Sequence, residues 1–213
     1  LGSKRMYDFI HKNEMCVSIP VDETNLPNKI AANDKVVSIN NCLQIDLSGQ
    51  VASESSAYRQ ISGTGGQLQF VRGAVASKGG KSFMCLSSRF IDKEGQPHSR
   101  IVPGLEEGTV VTTPRSDTMY VVTEYGIVNL KGKSITERAL ALISIAHPED
   151  RDGLLQQARD LRIISRKYDW LKTLKIDKHV TYTTVKLERE NNIATVTLSD
   201  PATRNAITDP VLL

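Results

Sequence analysis

The stretch ISGTGGQLQFVRGAVASKGGKSFMCLSS, residues 61–88, carries most of the reading of the fold. Ser62–Gly66 is a glycine-dense loop, and Gly73, Gly79 and Gly80 extend a flexible region as far as Lys81. From Ser82 to Ser88 a short apolar run bounded by turn residues predicts a buried strand. Glycine beside a strand lets backbone approach a ligand closely, because no Cβ stands in the way. N–H groups exposed in such turns form concavities that hold phosphates or a developing oxyanion. The loop therefore suits a phosphorylated cofactor or an acyl group, and its composition equally suits a plain surface turn. Gly80-Lys81-Ser82 has the ending of a nucleotide-binding P-loop, but that motif needs glycine where Val75 stands, so the spacing fails.

Outward from this stretch, Val36–Asn40 and Leu43–Leu47 predict two short strands with a turn around Asn40–Asn41. Ile101–Val102, Thr109–Thr113 and Met119–Thr123 are further strand candidates, separated by Pro103-Gly104 and by Pro114–Asp117. Met6, Phe9 and Ile10 share one helical face, and the chain holding Pro20 and Pro27 is expected to be irregular. Ser134-Ile135-Thr136-Glu137 is a capping box opening a helix on which Ile135, Ala139, Leu142, Ile143 and Ala146 form one apolar stripe, closing at His147-Pro148. A second helix runs from Glu149 to about Ile163. Strands in the middle with helices at both ends predict an α/β domain over residues 1–164, built on an open mixed or parallel sheet with flanking helices.

Residues 165–180 are basic, aperiodic and carry Trp170, which fits a linker. Val185–Glu188 and Ile193–Leu198 then alternate around Glu190-Asn191-Asn192, the pattern of a β-hairpin. A lone hairpin is not stable, so 181–213 is expected to open a domain that the sequence does not complete. Its exposed edges invite pairing with another chain, as in a homo-oligomer. Leu1 in place of an initiator Met and the abrupt Val211–Leu213 also point to a piece of a longer protein.

A net charge of +3 without blocks of like charge argues against nucleic acid as a partner. No apolar run approaches the roughly 20 residues that span a bilayer, and no signal peptide opens the chain, so the cytoplasm is the expected location, away from membranes. Cys16, Cys42 and Cys85 lie too far apart for a zinc knuckle and read as small buried residues. The four histidines have no metal-ligand spacing, so no metal site is expected.

Two further segments carry chemistry. Tyr120–Gly126 is a strand that delivers Glu124 at its end, where a carboxylate serves as nucleophile, base or orienting group, or merely caps a turn. Asn40, beside a turn, offers an amide to a carbonyl oxygen or simply tolerates the turn's backbone.

In order, SINNCLQIDLSGQV (38–51), SGTGGQLQFVRGAVASKGGKS (62–82), SRIVPGL (99–105), VVTTPRSD (110–117) and YVVTEYGIVNLKGKSITERALALISIAHPEDR (120–151) resemble the C-terminal domain of acetyl-CoA hydrolases, 4-hydroxybutyrate CoA-transferases and butyryl-CoA:acetate CoA-transferases. The resemblance covers roughly residues 1–160. It implies a CoA-transferase-like fold, coenzyme A as co-substrate, and exchange between an acyl-CoA and a small carboxylic acid. In that family a glutamate attacks the thioester, giving an acyl-glutamyl anhydride and CoA thiolate. The thiolate returns to form a glutamyl-CoA thioester, and the acceptor carboxylate completes the exchange. Hydrolysis differs only in that water resolves the intermediate.

Carried over by residue, the resemblance makes Asn40 the amide near the thioester oxygen, Gly65 a backbone donor to the oxyanion and Glu124 a second active-site carboxylate. Gly63 and Gly66 would shape the donor loop, and Lys81 with Ser82 would contact CoA phosphate or pantetheine. The nucleophilic glutamate would lie in an upstream domain. Gln69 stands where relatives usually carry Asp, which removes a charge beside the loop. The tail from Tyr182 to Leu213 is similar to the opening of crotonase-family enoyl-CoA hydratases and isomerases, where a hairpin precedes a helix near an Asn-Ala pair, here Asn205-Ala206. This implies a fusion of two acyl-CoA enzymes; a non-catalytic tether between such enzymes is the rival reading of another class.

Overall fold

A computed structural model describes residues 2–165 and the backbone of two strands, 185–190 and 193–198. The N-terminal helix α1 (Lys4–Ile10) starts where the Ser3 hydroxyl accepts the Met6 N–H at 3.2 Å. Met6, Phe9 and Ile10 are all exposed on it. Two short helices, α2 (Val21–Thr24) and α3 (Pro27–Ala31), occupy the proline-containing stretch. Pro27 sits in the first turn of α3, where a missing N–H costs no helical bond.

Strands β1 (Val37–Asn41), β2 (Gln44–Asp46), β3 (Val51–Ala52), β4 (Ser55–Ser56) and β5 (Arg59–Gln60) come next, then helix α4 (Gln67–Ala76) and β6 (Lys81–Cys85). After them run β7 (Arg89–Ile91), β8 (Pro97–Ser99), β9 (Ile101–Val102), β10 (Tyr120–Thr123) and β11 (Gly126–Asn129). Helices α5 (Ile135–Ser144) and α6 (Pro148–Asp160) close this part, and β12 (Val185–Glu190) pairs antiparallel with β13 (Ile193–Leu198).

The main sheet has the order β1-β6-β10-β11. Its first three strands are parallel, with Asn40 opposite Met84 and Val121 on the other side of Met84; β11 returns antiparallel to β10. A smaller sheet, β3-β2-β9, holds Ile45 against Ile101. The architecture is the open mixed α/β sheet with flanking helices expected from the sequence. One core joins both sheets to the helices: Ile45, Ile101, Val71 of α4, Met84, Val121 and Leu142 of α5 are all fully buried. Each such aliphatic side chain contributes about 1.5–3 kcal/mol on burial.

The capping box of α5 forms as read, the Ser134 N–H donating to Glu137 Oε2 at 2.7 Å. Arg138 from the same helix is buried and donates to the carbonyls of Arg115 (2.6 Å) and Ser48 (3.3 Å), tying two loops to the helix.

Four local expectations are corrected. The flexible region through Gly73 is instead helix α4: Gly73 lies against α3, where an added Cβ would stand 2.5 Å from Ile30 Cβ. Close helix packing therefore outweighs the roughly 1 kcal/mol that glycine costs in a helix. Asn40 and Asn41 end strand β1 rather than making a turn, and β1 and β2 belong to different sheets. Thr109–Thr113 is no strand beyond an isolated bridge from Thr113 to Val51. His147 does not close α5 but caps α6, its Nδ1 accepting the Glu149 N–H at 3.3 Å. The expected linker and Asn205-Ala206 lie outside the described residues, apart from Ser165.

Candidate functional site

Parallel strands direct their carboxyl ends to one edge of a sheet, and in open α/β sheets ligands bind there. At that edge lie Asn40 on β1, Leu86–Ser88 after β6 and Glu124 after β10. Asn40 and Val121 flank Met84, which puts β1 and β10 two strand spacings apart, roughly 10 Å. Helix α4 runs into β6 through a turn at 77–80, so its amino end returns to the carboxyl end of the strand. That brings the 62–66 loop to the same edge.

Each group is held differently. Asn40 alternates onto the face of Ser38 and donates from Nδ2 to the Ser38 hydroxyl at 2.8 Å, a bond that uses one of the two N–H donors of its amide; Ser38 itself is buried. The glycine loop is shaped by backbone. Gly65 has φ +60°, a left-handed conformation that favours glycine, with no atom within 4 Å of where a Cβ would be. Gly66 is the N-cap of α4 and supplies no capping side chain. The N–H groups of the first turn have no partner within their helix, and the helix dipole makes this end favour negative charge. The first turn carries no acidic residue, Gln69 included, so no carboxylate competes for those donors. The loop is braced from outside by Gln67, whose Nε2 donates to Thr113 Oγ1 at 3.0 Å, and its base by the Ile61 and Ser62 N–H groups donating to the Glu54 carbonyl.

Glu124 is held through its carboxylate by a single residue. Ser88, fully buried, donates its N–H to Oε2 at 2.8 Å and its hydroxyl to Oε1 at 2.6 Å, while Glu124 itself is exposed. Thr123, just before it, is tied to the Ile145 carbonyl at 2.6 Å.

Burial pushes the Cys42 thiol up to about 12 and raises that of Cys85 as well, so both stay protonated at neutral pH. Among the described residues no three His, Cys, Asp or Glu gather to hold a metal. A carboxylate that shares a sheet edge with backbone and amide donors suits acyl transfer, in which an oxyanion must be stabilised.

The family model for the acetyl-CoA hydrolase/transferase C-terminal domain matches residues 2–158. The chain belongs to this family. Among acetyl-CoA hydrolase/transferase relatives, the butyryl-CoA:acetate CoA-transferase of Anaerostipes caccae is 52% identical over 165 residues, 78% of this chain and 37% of that protein. The 4-hydroxybutyrate coenzyme A transferase of Clostridium kluyveri is 50% identical, covering 74% of this chain and 36% of its own length. The crystal structure of RipA from Yersinia pestis superposes with a TM-score of 0.69 at 50% identity, over 77% of this chain and 36% of that one. The chain thus spans little more than a third of the acetyl-CoA hydrolase/transferase proteins it matches.

Of the residues singled out in the sequence, Asn40, Gly63, Gly65, Gly66 and Glu124 come to one edge. Lys81 and Ser82 do not join them: they open β6, at the amino end of the sheet, and Ser82 is buried. Ser88 and the Gln67–Thr113 brace escaped the reading of the sequence. Only the β6–β10 register, with Cys85 opposite Val122, reveals that Ser88 and Glu124 leave the sheet side by side.

Proposed function

We propose that this chain is the C-terminal, CoA-binding part of an enzyme that moves CoA between an acyl-CoA and a small carboxylic acid. The observation that carries the proposal is the convergence of Asn40, the Gly63–Gly66 loop at the amino end of α4 and Glu124 on one sheet edge, in a family whose relatives are named CoA-transferases. Asn40 and the Gly65 N–H donate to the oxygen that becomes an oxyanion when the thioester is attacked. Gly63 and Gly66 keep the loop open to the pantetheine arm. Glu124 is the second carboxylate of the site, and the nucleophilic glutamate comes from the upstream portion of the whole protein. Lys81 and Ser82, at the far end of β6, take no part in this reading.

Hydrolysis uses the same residues with water in place of the acceptor, so what separates the two is exclusion of water when the site is assembled. Transfer is favoured by the transferase names of the relatives at about half identity. We also propose that residues 165–180 form a linker and that 181–213 open a crotonase-type domain, a reading supported by the antiparallel pairing of β12 and β13. A cytoplasmic enzyme, assembling as a homo-oligomer, completes the proposal.

Residues 1–213 alone and the full-length protein are compared for exchange of CoA between butyryl-CoA and acetate. The expected result is weak CoA binding without exchange by the first, and transfer through a borohydride-sensitive glutamyl-CoA thioester by the second. Robust exchange by residues 1–213 alone would contradict it and make Glu124 the nucleophile. The gene sequence on either side of the chain tests the upstream and crotonase assignments.

A further inference from the structure

An exposed carboxylate ordinarily keeps its rotational freedom and its water, yet Glu124 has both oxygens engaged by one buried residue. Ser88 is fully buried and uses both of its donors on Glu124, the N–H at 2.8 Å to Oε2 and the hydroxyl at 2.6 Å to Oε1. Its carbonyl in turn accepts the Arg100 N–H at 2.8 Å. Arg89, the next residue, is clamped by its guanidinium to Asp150 (Nε to Oδ2, 2.7 Å) and to Glu149 (Nη1 to Oε2, 2.6 Å) at the start of α6. The donor pair is therefore fixed before Glu124 meets it.

We propose that Ser88 is the positioning residue for Glu124, aligning its carboxylate toward the glycine loop so that it meets the reacting acyl group in one orientation. The inference rests on the reading of Glu124 as an active-site carboxylate. A bidentate clamp from a single rigid residue leaves a side chain little freedom about its terminal torsions, and catalysis by a positioned group depends on that restriction. A purely structural bond between the exits of β6 and β10 is the alternative. It predicts lost stability with an unchanged catalytic step.

The test uses the full-length protein and CoA exchange between butyryl-CoA and acetate. Ser88→Ala removes the hydroxyl donor to a charged acceptor and is expected to lower kcat about 10- to 100-fold with KM for the acyl-CoA little changed. Ser88→Thr, which keeps the hydroxyl, is expected to restore most of the rate. In a Glu124→Gln background Ser88→Ala is expected to have little further effect, because the two act as one unit. Wild-type kcat in Ser88→Ala, or effects of Ser88→Ala and Glu124→Gln that simply multiply, would overturn the proposal. Should Ser88→Ala fail to fold, Ser88→Thr decides: a folded variant that retains the hydroxyl but loses transfer as completely as Glu124→Gln contradicts the clamp. Absence of transfer by the wild-type protein would instead remove the reading of the site on which this rests.

Discussion

The two arms of the site are built by opposite means. On the carboxylate arm, Glu124 is fixed through its own side chain, which accepts the N–H and the hydroxyl of Ser88, while Thr123 ties its strand to Ile145 and Arg89 ties Ser88's neighbour to α6. On the donor arm, the Gly63–Gly66 loop is fixed by backbone, with Gly65 in a left-handed turn and Gly66 at the head of α4. Side-chain bracing makes a group immobile but sensitive to each partner. Backbone shaping leaves the N–H groups accessible and makes the arm sensitive only where glycine is required.

The largest effect is expected on the carboxylate arm. Glu124→Ala in the full-length protein should lower steady-state transfer by about 100- to 10,000-fold, the usual range for a positioned acid or base, in a variant that still folds. A rate near wild type would mean that Glu124 only caps its turn.

Glycine substitutions then probe the donor arm. Gly65→Ala meets no neighbour within 4 Å, so its penalty is backbone alone, about 1–2 kcal/mol for the left-handed conformation, and transfer should fall about tenfold. Gly63→Ala also meets nothing but has no left-handed φ, so stability should stay within about 0.5 kcal/mol and the rate should fall less than in Gly65→Ala. Denaturant melts and exchange rates of the pair measure the contrast. Equal losses would show that the loop is not shaped by the conformation of Gly65.

The smallest effect concerns acid. The Arg89 guanidinium holds the Glu149 carboxyl below the usual glutamate range. A group whose folded value is depressed contributes stability that is fully present above its unfolded value, about 4.3, and is lost as pH falls through the folded value. The melting temperature should therefore decline below about pH 4. Arg89→Met should flatten this decline slightly; an unchanged acid profile would show that the clamp adds nothing to stability.

The sequence made the α/β class, strands β1, β2, β6, β9 and β10 and the α5 capping box legible, because these depend on local periodicity and capping. It concealed α4: Gly73 weakens the helical signal, and only contact with Ile30 explains its presence there. It also placed Asn40 in a turn, since two asparagines look like turn chemistry until strand pairing with Met84 is known. Glu124 and the glycine loop were readable as residues, but their arrangement was not. Ser88 was invisible for the same reason, because its meaning comes from its register beside β10. The opposite ends of one strand separate Ser82 from Ser88, a distinction that a motif read along the chain cannot make.

Backbone hydrogen exchange in the presence and absence of CoA tests the shared edge most directly. The full-length protein should show CoA slowing exchange of amides 63–69, in the loop and first turn of α4, with the β7–β8 hairpin at 89–99 unchanged. Equal exchange of residues 63–69 with and without saturating CoA would contradict the assignment of this edge as the CoA site.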